Sequence, residues 1–223
     1  MPSTGRRATA AYVAPFAAFI AVMAAEHALL PHSQILYPIR FLIVLATILL
    51  VSRPCLQLRP KNPLASIAVG AALFLIWIAP DRLFGYRHFW LFDNAITGSA
   101  STSIPADMQA SLWFLALRTL GSVALVPIIE ELFWRGWLMR WLIDPDFEKV
   151  PLGKYTPAAF WIVAVLFASE HGPYWEVGLI AGAVYNWWMI RTRSLADCML
   201  AHAVTNGILA AYVMASGEWQ YWL

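Results

Sequence analysis

Residues 123–143 read VALVPIIEELFWRGWLMRWLI, an apolar run carrying two adjacent glutamates, Glu130 and Glu131, followed by Arg135. An ionisable side chain near the bilayer interior costs roughly 2.5–3.5 kcal/mol or more, so such a group marks a candidate functional site before anything else is known. The rest of the chain supplies the bilayer context. Of 223 residues 61% are apolar and 13% are charged, whereas a soluble domain carries about 25% charged residues. Lipid offers the backbone no hydrogen-bond partners, so spans are helices or closed barrels. Ten-residue alternating segments of the barrel kind are absent. The expected fold is therefore all-α, a single polytopic transmembrane helix bundle over residues 1–223.

Apolar runs bounded by polar or Pro/Gly clusters place about seven spans near residues 9–25, 36–52, 64–80, 108–130, 157–172, 175–190 and 195–214. Several are short for a crossing at 1.5 Å per residue, so some are expected to be tilted, broken or non-spanning. Arg6 and Arg7 precede the first span, which reads as an uncleaved anchor because Pro15 and a second apolar segment follow closely. No repeat of 20–50 residues is visible.

Net charge is only +2, which leaves no electrostatic footprint for nucleic acid. The basic residues act as topological signals instead. Arg6 and Arg7, then Arg53, Arg59 and Lys61, then Arg140, Lys149 and Lys154, then Arg191 and Arg193 fall on one side, with little beyond Arg82 and Arg87 opposite. Positive residues stay cytoplasmic, so the expected orientation has the N-terminus in the cytoplasm and the C-terminus outside, where Trp219, Tyr221 and Trp222 form an interfacial belt. The longest loop, about residues 81–107, is expected to be an interfacial stretch followed by a flexible link that does little beyond shaping access. Cys55 and Cys198 lack CxxC spacing and read as reduced thiols.

Glu131 and Arg135 are four apart and stack on one helix face in the favourable order. Glu130 projects away from that pair and is freer to titrate, as a general base must. Pro127 removes a helix hydrogen bond and lets water or substrate approach. In the next polar segment, FASEH, Phe167 and His171 share a face and Gly172–Pro173 ends the helix, while Glu170 points about 100° away, toward solvent. In HAVTN, His202 and Asn206 again share one face of an apolar helix and must find partners there. Each motif alone admits a plainer reading: an interfacial helix end for EELFWR, a terminal histidine for His171, a helix–helix bond for His202 and Asn206. Together they supply bases and donors suited to hydrolysis.

The ordered set EELFWR (Glu130, Glu131, Arg135), FASEH (Phe167, His171) and HAVTN (His202, Asn206) resembles the three motifs of the membrane-embedded CAAX protease and bacteriocin-processing family, EExxxR, FxxxH and HxxxN/D. All seven positions are filled, in order, and the likeness covers about residues 108–214. The resemblance implies a glutamate-dependent intramembrane endopeptidase similar to the Ras-converting enzyme. In it, Glu130 activates water, His171 helps to orient it, His202 and Asn206 steady the oxyanion, and Glu131, Arg135 and Phe167 support the site. It further implies a membrane-anchored peptide substrate admitted from the bilayer, and no cofactor; the small size reads as bacterial, so the expected location is the inner membrane.

Two rivals stand beside this reading. Glu130, His171 and His202 could form a zinc site of the His₂Glu type, although the HExxH spacing is absent. The same three residues could instead relay protons or a cation in a transporter. Depth poses a further question, because His171 ends a segment running outward while His202 lies near the inner end of its own. The expectation is a short, non-spanning fifth helix and a water-filled cavity open to the cytoplasm.

Overall fold

The computed structural model describes residues 4–30 and 36–222. Among these, seven helical runs of 13 residues or more carry the architecture: α1 (Thr4–Leu29), α2 (Tyr37–Cys55), α3 (Pro63–Phe84), α4 (Leu112–Trp141), α5 (Pro157–Ser169), α6 (Trp175–Thr192) and α7 (Leu195–Ser216). No strand occurs among the described residues, and α1, α2, α3, α4 and α7 are long and apolar enough to cross a membrane. The chain is an all-helical, polytopic membrane protein. At 13 residues α5 rises only ~20 Å, short of a full crossing.

Residues are helical where the apolar runs predict them, and local chemistry sets the ends. Ser194 caps α7 by accepting from the Asp197 amide at 3.3 Å, and Thr156 caps α5 through the Ala159 amide at 3.3 Å. Gly85 and Gly217 close α3 and α7 in the left-handed conformation.

α3 and α7 pack closely along their lengths. They run parallel: Asp197 accepts from the backbone amides of Lys61 (2.7 Å) and Asn62 (2.6 Å) and from the Ser66 hydroxyl (3.0 Å). Further along, Thr205 donates to the Gly70 carbonyl at 3.0 Å, and Phe74 meets Tyr212 with ring centroids 5.8 Å apart. At the far end, the Tyr221 hydroxyl donates to Asp81 at 2.5 Å. Gly70 permits this approach, since a Cβ there would lie 2.3 Å from the Ala201 carbonyl oxygen. Small residues at such a seam let backbones draw close.

Two ends of the bundle result. One gathers residues 53–62, 142–156 and 191–194 with the start of α1, and holds most of the basic residues. The opposite end is built from residues 85–111, the α5–α6 turn and the C-terminal residues. There the loop is tied down more firmly than its composition suggests. Arg87 is buried, donates to the Pro173 carbonyl at 2.6 Å, pairs with Glu176 at 2.7 Å and sits 4.0 Å from the centre of the Tyr174 ring. Tyr86 donates to Glu176 at 2.9 Å; burial and that bond push its phenol up to about 12, so it remains a donor at neutral pH. Thr102 donates to the Trp222 carbonyl at 3.2 Å, within the stretch read as a link. This packing fills the space that the short α5–α6 hairpin leaves open.

Candidate active site

Every residue singled out by the three motifs lies around the middle of α4. Pro127 has no N–H and its ring collides with the preceding turn, which here widens into a π-type turn over Gly121–Leu125. The Val126 amide therefore reaches back five residues to the Gly121 carbonyl. The next donor in that register would be Pro127, so the Ser122 carbonyl is left over. Asn206 Nδ2 fills the gap, donating to Ser122 O at 2.8 Å. One amide hydrogen of Asn206 is thereby used and the second is left for another acceptor.

Glu131 and Arg135 are fully buried, each with 0% side-chain exposure, and Arg135 Nη1 donates to Glu131 Oε1 at 3.2 Å. The rest of the guanidinium is held by α6: Nε donates to Asn186 Oδ1 at 2.9 Å and Nη2 to the Gly182 carbonyl at 3.1 Å. Its flat face lies 4.6 Å from the Phe167 ring centre, a cation–π contact that suits a desolvated arginine. Gly182 makes this possible, because a Cβ would press on Ala164 at 3.1 Å and on Phe167 at 3.2 Å. The sequence reading assigned Glu131 to Arg135 alone. Glu131 Oε1 also accepts from His202 Nδ1 at 3.0 Å, so one carboxylate holds both an arginine and a histidine.

His202 is further fixed by Tyr185, whose ring stacks on the imidazole at 5.0 Å and 24° and whose hydroxyl donates to Thr205 at 2.8 Å. Because Nδ1 gives its hydrogen to a carboxylate, Nε2 is the nitrogen left to act. His171 shows the same division. Its Nδ1 lies 2.7 Å from the Phe167 carbonyl, an oxygen that only accepts, so Nδ1 carries the hydrogen and Nε2 keeps a lone pair. Its ring packs against Phe167 at 4.7 Å and Trp77 at 5.2 Å. Gly178 gives it room, since a Cβ there would meet the imidazole at 3.2 Å.

A cavity of about 270 Å³ brings these groups together: Glu130, His171, His202 and Asn206 all line it, along with Trp77, Phe167 and Tyr185. Glu131 and Arg135 do not line it and stand behind its wall. Glu130 Oε2 is buried without a hydrogen-bond partner. Glu170, read as pointing to solvent, is exposed and yet also contributes to the cavity wall. The short α5 brings His171 to the level of Glu130. The cavity does not lie toward the basic end, where it was expected to open. Its wall runs the other way, to Tyr37, Arg118, Tyr221 and Trp222.

Residues 109–208 match the family model for Rce1-like type II CAAX prenyl endopeptidases. That region is similar to the CAAX proteases. No curated protein and no solved structure matches the chain. The matched region holds the whole of α4, α5 and α6 and the larger part of α7, so it carries the whole motif set. α1 to α3 lie outside it, yet all three line the cavity, with Met23 from α1, Tyr37 from α2 and Trp77 from α3. Asn186, Tyr185 and Gly182, which sequence reasoning passed over, are inside the match. Asn186 had a visible signal: it is an amide in the middle of the apolar run AGAVYNWWM, subject to the same demand for a partner that drew attention to Asn206.

Proposed function

We propose that the chain is a glutamate-dependent intramembrane endopeptidase that hydrolyses a peptide bond of a membrane-anchored substrate. The observation that carries this reading is the convergence of Glu130, His171, His202 and Asn206, from two helices and the α5–α6 turn, on one cavity. The unpartnered Glu130 oxygen accepts a proton from water as that water attacks the carbonyl carbon. The same proton passes to the departing amine when the C–N bond breaks. His171, with its Nε2 lone pair, holds the water in line. Positioning of this kind replaces a covalent intermediate.

The tetrahedral oxyanion is met by the second Asn206 amide hydrogen and by His202 Nε2. Donation from Nε2 requires the doubly protonated ring, for which Glu131 is the counter-charge. Each such donor is worth roughly 2.7–4 kcal/mol in acyl-transfer sites. Arg135 holds the Glu131 carboxylate in place, and Phe167 covers the guanidinium face.

The test is cleavage of a membrane-peptide library by the purified protein in detergent, without any ion gradient and with or without a chelator. Cleavage unaffected by chelation is expected. Loss of cleavage on chelation, restored by zinc, would replace this mechanism with the metal-dependent one. Gradient-driven uptake by the reconstituted protein without cleavage would replace it with transport.

A further inference from the structure

We propose that residues 86–98 form an interfacial clamp: the tip of this loop lies in the headgroup region of the bilayer and its base holds the turn that carries His171, so that cleavage depends on contact between loop and lipid. The effect on cleavage rests on the protease reading above, whereas the docking and the hold on the turn do not. None of these residues lines the cavity, and all of them lie outside the family match.

The loop is built rather than slack. Asn94 Oδ1 accepts from the Ile96 and Thr97 amides at 2.8 and 3.1 Å, and Asn94 Nδ2 donates to the Trp90 carbonyl at 2.8 Å. The Gly98 amide closes the tip by donating to the Asn94 carbonyl at 2.8 Å. Fixed in this way, the tip still leaves its large apolar side chains uncovered: Ile96 is 97% exposed, Trp90 69% and Phe89 55%. Exposed apolar groups gathered on one short, ordered segment mark an interaction surface. Their occupant follows from what flanks them. The chain leaves α3 at Leu83 and Phe84 and enters α4 at Leu112 and Trp113, all four exposed apolar residues at the ends of helices long enough to span. The tip therefore continues a lipid-facing apolar band at its edge, the level where Trp and other amphipathic rings are enriched.

The base of the loop grips the turn between α5 and α6. Arg87 donates to the Pro173 carbonyl at 2.6 Å and pairs with Glu176 at 2.7 Å. Trp175 Nε1 donates to the Leu91 carbonyl at 3.3 Å, and its ring stacks on Phe92 with centroids 5.8 Å apart at 18°. The Thr97 carbonyl comes up against Gly172, which has φ of 50° and where a Cβ would lie 3.0 Å from that oxygen. Gly172 follows His171 directly, so a shift of the loop is passed to the backbone that aims the imidazole. α5 is too short to be held at this end by a full crossing, and the loop supplies the missing support.

The experiment places the full chain in phosphatidylcholine nanodiscs, one copy in each. Ala95→Cys, exposed beside the tip, carries an environment-sensitive fluorophore, with the unsubstituted protein treated alike as the blank. Quenching by lipids with a nitroxide on the headgroup, and weaker quenching by lipids with a nitroxide deep in the acyl chain, is expected. A label quenched by aqueous iodide and by neither lipid overturns the inference. So does a label that neither iodide nor lipid reaches, because a protein would then cover the tip. The companion variant combines Trp90→Asp with Ile96→Asp, both at exposed positions, and should unfold like the wild type. It should lose lipid quenching at a label on Ala95→Cys, exchange the backbone amides of residues 170–176 faster, and lose kcat by up to about 10²-fold, the cost of a misplacement of ~1 Å. KM should hardly change, since neither side chain lines the cavity. Trp90→Phe with Ile96→Leu should restore all three readouts. Loss of docking with unchanged amide exchange and kcat overturns the hold on His171. Failure of the wild type to cleave in nanodiscs and in detergent sinks the protease reading, while quenching and amide exchange still decide the docking and the hold.

Discussion

On one side of α4 the Glu131 carboxylate accepts from Arg135 and His202 and is shut away from solvent. One residue earlier, Glu130 lines a cavity; each carboxylate has one buried oxygen without a hydrogen-bond partner, but only Glu131 has its other oxygen held by ion pairs. The two side chains are chemically identical and adjacent in sequence, and the helix turns them into different surroundings. A buried charge that is paired and hydrogen-bonded holds structure together, whereas one left without a partner is available for chemistry. The comparison extends to their neighbours. Arg135, Asn186 and Gly182 form a closed, fully bonded wall, and His171 and Asn206 each use one nitrogen donor for the protein and present the remainder to the cavity.

The strongest way to break this contrast is to remove a member of the wall. Arg135→Ala strands Glu131 and Asn186 in the core and should lower stability by about 3–5 kcal/mol. Thermal unfolding in detergent, or the yield of monodisperse protein, reads that loss; a midpoint like the wild type's would mean that the wall is not held by charge pairing. On the cavity side, Asn206→Ala should reduce kcat by about 10²–10³-fold, the range for loss of one oxyanion donor. Its stability should fall by only about 0.5–1.5 kcal/mol, for the lost bond to Ser122. A variant that unfolds without a separate fall in kcat would move Asn206 from the cavity to the wall.

A smaller effect tests the scaffold that sets His202 in place. Gly70→Ala forces a methyl group against the Ala201 backbone, and overpacking of this kind costs about 1–3 kcal/mol. Because α7 must shift to relieve it, activity should fall along with stability. Retained activity at reduced stability would show that the α3–α7 register is not what places His202. The smallest change comes from Lys149→Ala. Its pair with Asp146 is exposed on both sides and such pairs contribute little, so unfolding and cleavage should both match the wild type.

Much of this was legible in the chain. The seven helices follow from the apolar runs, and the Glu131–Arg135 pair follows from four-residue spacing, which fixes which side chains share a face. What spacing cannot supply is the identity of the neighbour across a helix boundary. For that reason the bond from His202 to Glu131, the cradle that Asn186 and Gly182 make for Arg135, and the parallel seam of α3 with α7 were hidden. Arg87 was hidden for a related reason, since its role arises where its loop meets the α5–α6 turn. The position of the cavity was misjudged because its depth was counted from individual helix ends. The covering loop and C-terminal residues, which let α5 stop short, could not enter that count.

The central claim is that Glu130 and Glu131 do different work, and it is tested most directly by Glu130→Gln and Glu131→Gln prepared side by side and measured for both peptide cleavage and thermal unfolding. Glu130→Gln should lose cleavage by at least about 10²–10⁴-fold, the worth of a general base, while unfolding like the wild type. Glu131→Gln should unfold at a clearly lower temperature. Near-normal turnover by Glu130→Gln, or equal loss of stability in both variants, would contradict the account.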